Sequence, residues 1–292
     1  MVQKSVQLST GYQIPVAGLG TWQSPEGVIG KVVKTALDTG YRHLDCAQGY
    51  GNEAEIGDAL EEYYKTSSLK REDIFITSKV WNTCHSYERC CQSVEDILHR
   101  FKTNYIDLVL IHWPHGFQEG GELFPRVGDQ IQYSDVDYLE TWKALEKKVE
   151  EGKIRSIGLS NFNIAQIQRV IDNGKIKPVA LEVEAHLYFQ QKELRKFCQE
   201  NNIVFIAYSP LGSPGSTGFW RQAHSEVNVL KDPIVLNLSK KYQKSPAQII
   251  LRWELQNNIL IIPKSTNEAR LQENFDLFDF NISGDDMKQL DQ

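Results

Sequence analysis

The sequence predicts an α/β fold, a (β/α)8 TIM barrel, and two observations carry that prediction. Eight continuous apolar runs alternate with stretches of helical spacing, and charged residues collect at the ends of the runs. Runs that do not alternate polar with apolar are the pattern of strands covered on both faces. Strand–helix alternation sustained eight times implies a parallel sheet, and eight units imply closure.

The elements follow in order. Ser5–Leu8, a turn at Thr10 and Gly11, and Gln13–Pro15 read as an N-terminal β-hairpin that plugs one end of the barrel. The strand-like runs are Val16–Gly20, His43–Ala47, Ile74–Lys79, Ile106–Trp113, Ile154–Ser160, Val179–Glu184, Val204–Ser209 and Ile259–Lys264. Between them, helical spacing covers Gly27–Thr39, Glu53–Lys65, Tyr87–Phe101, Val136–Glu151, Ile164–Asn173, Gln191–Asn201 and Asp232–Tyr242. Pro246–Gln256 adds a helix, and Asn267–Phe275 closes the series. The competing open dinucleotide-binding sheet needs G-x-G-x-x-G after its first strand. Here Gly18-Leu19-Gly20 runs on into Thr21, Trp22 and Gln23, so the third glycine is missing.

The chain has 292 residues, 41% hydrophobic and 24% charged, a composition and length suited to one barrel domain over residues 1–292. A net charge of -6 without a long Lys/Arg run argues against nucleic acid as a partner. No window approaches the roughly 18 consecutive apolar residues of a membrane span, and Met1–Gln7 is too polar for a signal peptide. The cysteines, Cys46, Cys84, Cys90, Cys91 and Cys198, are odd in number and form no C-x-x-C. They read as reduced thiols of a cytoplasmic protein.

In a barrel of this kind the chemistry sits at the carboxyl ends of the strands. Asp45, Lys79 and His112 each terminate an apolar run, and Tyr50 lies on a glycine-flanked loop just past Asp45. Unpaired charge in a core costs several kcal/mol per ion, of order, so these groups must pair or face the mouth. Together they suit one task. An ammonium beside a phenol favours phenolate and lowers its pKa; a carboxylate holds the ammonium; neutral imidazole orients a carbonyl oxygen. Tyr50 is then a general acid toward a carbonyl, and the hydride must come from a nicotinamide cofactor. Tyr208 offers a ring to stack on, and Ser160 with Asn161 offers short polar groups for a carboxamide. Lys264, Ser265 and Arg270 supply two cations and a hydroxyl near a helix start, a phosphate site.

These residues resemble the aldo-keto reductases, over about Val6 to Gln292. The resemblance rests on Tyr41–Ala47 before Tyr50, Asn52-Glu53, Ser78-Lys79, Leu110–Pro114, Gly158–Phe162, Tyr208–Ser213 and Ile262–Ser265. It implies a catalytic tetrad of Asp45, Tyr50, Lys79 and His112, and NADPH extended across the barrel mouth. Thr21, Trp22, Ser160, Asn161, Glu182 and Tyr208 would surround the nicotinamide. Ser209, Leu211 and Ser213 would line the pyrophosphate loop. Lys264, Ser265, Thr266, Asn267 and Arg270 would hold the 2′-phosphate end, and Glu273 and Asn274 the adenine. Trp22, Trp81, His112, Trp113, Phe124 and Trp220 would wall a pocket for a small carbonyl substrate. The implied activity is NADPH-dependent reduction of aldehydes, extending to ketones and aldoses, by a monomer without a bound metal.

Departures from the family pattern are specific. Leu181 and Glu182 stand where the family usually has Asn-Gln, which puts a carboxylate where the cofactor amide is usually met. As a carboxylate, Glu182 can accept a hydrogen bond but not donate one. Gln23 and Gly215 stand where the family pattern can pair a Lys with an Asp over the pyrophosphate, so the resemblance implies faster cofactor release here. Family members usually continue beyond the position of Gln292 into a loop that sets specificity, so no narrow substrate is implied. A non-catalytic structural or regulatory relative is the alternative, which the intact tetrad disfavours. A metal-dependent hydrolase has only the spacing His112-Trp113-Pro114-His115 in its favour.

Overall fold

The computed structural model describes residues 4–214 and 228–292. Eight parallel strands form one sheet in sequential order: β1 Leu19–Gly20, β2 His43–Asp45, β3 Phe75–Val80, β4 Ile106–Ile111, β5 Ile154–Ser160, β6 Ala180–Glu184, β7 Val204–Tyr208 and β8 Leu260–Ile261. Ala17 pairs in parallel with Ile261, and Gly18 N–H donates to the Ile261 carbonyl at 2.8 Å, which closes the sheet into a barrel. The fold is the expected (β/α)8 barrel.

The helices between the strands are α1 Ile29–Thr39, α2 Glu53–Thr66, α3 Tyr87–Arg100, α4 Tyr138–Glu150, α5 Ile164–Asn173 and α6 Lys192–Glu200. Then come α7 Pro233–Tyr242, α8 Pro246–Gln256, α9 Glu268–Phe275 and α10 Gly284–Leu290. Their ends are marked in the sequence. Asn163 and Ser245 each exchange hydrogen bonds with a glutamine three residues on, and Asp232 caps the start of α7 ahead of Pro233. The helices' apolar faces pack on the outward side chains of the strands, including Leu44, Ile76, Val109, Ile157 and Leu181.

Inside the barrel the packing is separate. Val6 pairs with Ile14 in an antiparallel hairpin, Ser5–Gln7 against Gln13–Pro15. From this hairpin Leu8 and Ile14 join Phe75, Leu108, Leu110, Ile206 and Leu260 in one apolar cluster. The hairpin is therefore the plug that the sequence suggested, and the opposite end of the barrel is left for polar side chains.

Several strands are shorter than the sequence reading, β1 being Leu19–Gly20 rather than Val16–Gly20, and three further details differ. The last strand's regular ladder is only Leu260–Ile261, because Pro263 has no N–H to give; its carbonyl still accepts from Gly20 N–H at 3.1 Å. The series does not end at α9: α10 follows, capped by Ser283. Asp286 on α10 accepts from Lys241 at 2.7 Å and Tyr242 at 2.5 Å on α7. Between β4 and α4 the chain makes two short antiparallel pairs, Gly116–Phe117 with Tyr133–Ser134 and Arg126–Val127 with Gln130–Ile131.

Candidate active site

Asp45 and Lys79 end up together because β2 and β3 are hydrogen-bonded neighbours, with Leu44 opposite Ile76 and Asp45 opposite Thr77. Lys79 is fully buried. Its Nζ donates to Asp45 Oδ1 at 2.7 Å, to the Cys46 carbonyl at 3.0 Å and to Tyr50 Oη at 3.3 Å. Glu182 Oε1, from β6, lies 3.1 Å from the same nitrogen. Burial alone would lower the Lys79 pKa, but Asp45, Glu182 and Tyr50 outweigh it and hold the group well above its ordinary value. Lys79 is therefore an ammonium at any working pH.

Tyr50 sits on a single turn of 3-10 helix, Gln48–Tyr50. The glycines around it have distinct jobs. Gly51 follows the turn at φ 71°, a conformation that suits glycine. Gly49 lets the turn press on Trp81: a Cβ there would meet the indole at 2.6 Å. Burial pushes the Tyr50 pKa up; Lys79 pulls it down, and Asp45 and Glu182 push it up again, so the net direction is upward. The lowering expected from the sequence is present but is outweighed. The phenol is neutral, and Lys79 makes it less reluctant than burial alone would.

His112 follows β4 and is buried. Its ring stands edge-on to Tyr50 at 5.7 Å and to Trp81 at 5.1 Å. Burial, then the Lys79 charge, holds its pKa well below 6.5, so the imidazole is neutral. Its Nδ1 is buried without a hydrogen-bond partner among the described residues. Asn161 Nδ2 donates to the His112 carbonyl at 3.0 Å, and Asn161 Oδ1 accepts from Tyr208 Oη at 2.9 Å. Ser160 Oγ lies 3.2 Å from Asn161 Nδ2. Asn161 at φ 62°, Ser209 at φ 51° and Ser213 at φ 52° hold left-handed backbone at these strand ends, which non-glycine residues keep at a cost of order 1–3 kcal/mol each.

Thr21 is occupied by the scaffold: its Oγ1 donates to the Asp45 carbonyl at 2.8 Å, and its own carbonyl accepts from Asn52 at 2.9 Å. Trp22, next along, is half-buried. Trp81, donating to the Leu123 carbonyl at 2.7 Å, stacks edge-on with Phe124 at 5.2 Å. Phe117, which the sequence reading missed, lies 6.1 Å from both Trp81 and Phe124. Trp113 reaches the same wall through His115. Trp220 and Gly215 lie outside the described residues.

The phosphate-end candidates gather after β8. Lys264, Thr266 and Arg270 reach solvent, and Ser265 is buried, with Oγ accepting from Asn267 N–H at 3.1 Å. The Asn267 side chain caps α9 by accepting from Arg270 N–H. Glu273 accepts from Ser245 Oγ at 2.5 Å, and Asn274 is buried on α9. Ser213 Oγ donates to Ser209 Oγ at 2.6 Å, and Leu211 is half-buried between them.

A parallel barrel that brings a buried amine, a phenol and a neutral imidazole to one rim is a carbonyl-reducing oxidoreductase. The chain belongs to the aldo/keto reductase family, whose sequence pattern matches residues 17–292. It is 46% identical over 287 residues to aldo-keto reductase family 1 member A1 of Gallus gallus, covering 98% of this chain and 87% of that protein. The Bos taurus protein of the same name is 45% identical over 293 residues, covering 100% of this chain and 89% of the other. In structure it is similar to the aldose reductase from Schistosoma japonicum, with a TM-score of 0.92 and 44% identity over 99% of this chain and 91% of that one.

Proposed function

We propose that this protein reduces aldehydes, and with them ketones and aldoses, to alcohols with NADPH, and that Tyr50 is the general acid. One observation carries the reading: half-buried Tyr50 and buried Lys79 and Asp45 form an unbroken chain of 3.3 Å and 2.7 Å contacts beside a neutral His112. Tyr50 delivers a proton to the carbonyl oxygen. A developing alkoxide is far more basic than a phenolate, so transfer is downhill even from a phenol whose pKa is raised. Lys79 stabilises the phenolate that remains, and Asp45 fixes Lys79. His112 orients the oxygen. An acid so positioned contributes roughly a hundred- to ten-thousand-fold.

NADPH, when bound, supplies the hydride that no side chain can. Two buried polar atoms without partners among the described residues, His112 Nδ1 and Glu182 Oε2, support a polar ligand at this rim, as do the left-handed turns at Asn161, Ser209 and Ser213. Thr21, Trp22, Ser160, Asn161, Glu182 and Tyr208 would hold the nicotinamide end. Ser209, Leu211 and Ser213 would hold the pyrophosphate, and Lys264, Ser265, Thr266, Asn267 and Arg270 the 2′-phosphate. Glu273 and Asn274 would meet the adenine. Trp22, Trp81, His112, Trp113, Phe117, Phe124 and Trp220 would form the substrate wall. The reading includes a single barrel domain working as a monomer in the cytoplasm. Loss of NADPH absorbance with a simple aromatic aldehyde tests it; no consumption by folded protein that binds NADPH would overturn it.

A further inference from the structure

Lys79 has more oxygen neighbours than hydrogens. Its three hydrogens go to Asp45, the Cys46 carbonyl and Tyr50. Glu182 Oε1, at 3.1 Å, is a fourth neighbour, and Glu182 Oε2 is buried with no hydrogen-bond partner among the described residues. Two carboxyl groups thus share one ammonium inside the barrel. Ionising both would bury a net negative charge, and like charges around one site cannot all be kept.

We propose that Glu182 is the proton store of this site, entering each turnover as a carboxylic acid and leaving it as a carboxylate, with Lys79 passing its proton to Tyr50. This rests on the reading of Tyr50 as the acid and NADPH as the hydride donor. The step balances. The Tyr50 O–H bond breaks and its proton goes to the carbonyl oxygen, while the carbonyl carbon takes the hydride that NADPH, when bound, would supply. A Lys79 N–H proton passes to the phenolate, and the Glu182 O–H proton passes to Lys79. The carbonyl gains two electrons and two hydrogens, the dinucleotide loses a hydride, and Glu182 loses a proton. Glu182 acts through Lys79, as a positioning residue.

The charges around Glu182 support this. Burial, then Asp45 on β2, pushes its carboxyl well above the usual carboxylate range, and Lys79 on β3 pulls the other way. Tyr50 faces the same amine from its turn, and His112, just after β4, feels the Lys79 charge. Tyr208 on β7 and Glu184 on β6 itself are further titratable neighbours, Tyr208 feels both glutamates, and His43 and Cys46 feel the Asp45 and Lys79 charges from the β2 side. Ser160 at the end of β5 pairs with Glu182, and Asn161 just after it donates its N–H to the Glu182 carbonyl at 3.0 Å. Before turnover Asp45, Lys79 and a neutral Glu182 sum to zero. Afterwards they sum to minus one, beside a ring that has gained a positive charge. Protonated, Glu182 can donate as well as accept, so the restriction expected from its sequence identity applies only to the ionised form.

The test is proton release on binding NADP+ and NADPH near neutral pH, measured by calorimetry in buffers of different ionisation enthalpy. Both dinucleotides carry the same phosphates, so the difference isolates the ring. The expected result is that NADP+ releases more protons, by close to one, and that its dissociation constant falls up to tenfold per pH unit while that of NADPH holds. In E182Q the two should release equally. Equal release by the wild-type protein, or a difference that survives in E182Q, overturns the proposal. If neither dinucleotide binds, the NADPH reading fails with it. Should E182Q not fold, the wild-type comparison still decides. A protonated-carboxyl infrared band in the protein alone that is lost in E182Q is the matching readout, separating Glu182 from the likewise buried Glu254, and the absence of such a difference contradicts the proposal.

Discussion

The two ends of this barrel bury charge in opposite ways. Near the plugged end, Asp107 on β4 takes three donors: Arg71 at 2.7 Å, Arg155 at 3.0 Å and the Ile76 N–H at 3.0 Å. Two cations serve one carboxylate. At the open rim the ratio is inverted: Asp45 and Glu182 share the single amine of Lys79, and Glu182 Oε2 has no donor among the described residues. The over-supplied carboxylate has nothing left to exchange and holds structure. The under-supplied pair keeps a proton that can move. A buried ion pair by itself is weak grounds for either role; the donor count separates them.

Substitutions at the two ends should therefore fail differently. Lys79→Met should give the largest effect, a loss of turnover of at least about a hundredfold, the lower end of what a positioned acid contributes. Its unfolding free energy should change less than turnover suggests, because Asp45 and Glu182 can then share a proton. Steady-state kinetics beside urea denaturation measures both. Asp107→Ala should do the reverse, costing about 3–5 kcal/mol of stability with kcat preserved in the folded fraction. Equal damage to turnover and stability in both variants would erase the contrast. Leu8→Ala, in the plug, should cost about 2–5 kcal/mol with KM unchanged. Arg270→Ala should cost about 1.5–3 kcal/mol of NADPH binding, raising the NADPH KM while kcat at saturation stays close to normal.

The smallest expected effect concerns acid. His43, between the Pro15 carbonyl and Thr77, has its pKa lowered by burial to about 4, and so has His85. Both are neutral when folded, while an unfolded histidine takes up a proton below about pH 6.5. At these two rings the unfolded state therefore binds more protons between pH 6.5 and 4, so their contribution to stability falls as pH drops through that window, against the opposite contribution of buried carboxyls such as Glu182 and Glu254, whose folded pKa is raised. Titration of either ring near pH 6.5 in the folded protein, read by NMR, would contradict their burial.

Much of this was legible in the sequence. Asp45, Lys79 and His112 could be found because each ends an apolar run, and a closed parallel sheet puts all such ends on one rim. Tyr50 could be found because its glycines mark a tight turn; one carries the left-handed backbone, the other the contact with Trp81. The Glu182–Lys79 contact was not legible, since β6 and β3 are not neighbours in the sheet and meet only across the barrel mouth. Nor was the direction of the Tyr50 pKa, which depends on how much burial opposes one ammonium. Phe117 was missed as a lone aromatic in an irregular segment. The last helix was missed although Ser283 with two aspartates after it is a readable start signal.

The claim beneath all of this is that Lys79 couples the Tyr50 hydroxyl to buried carboxyl groups, so that Tyr50 protonates the substrate oxygen. Tyr50→Phe removes that one oxygen and little else. Single-turnover reduction of an aromatic aldehyde by NADPH-loaded Tyr50→Phe should slow by at least about a hundredfold, with the NADPH dissociation constant nearly unchanged. Turnover close to that of the wild-type protein would contradict the account.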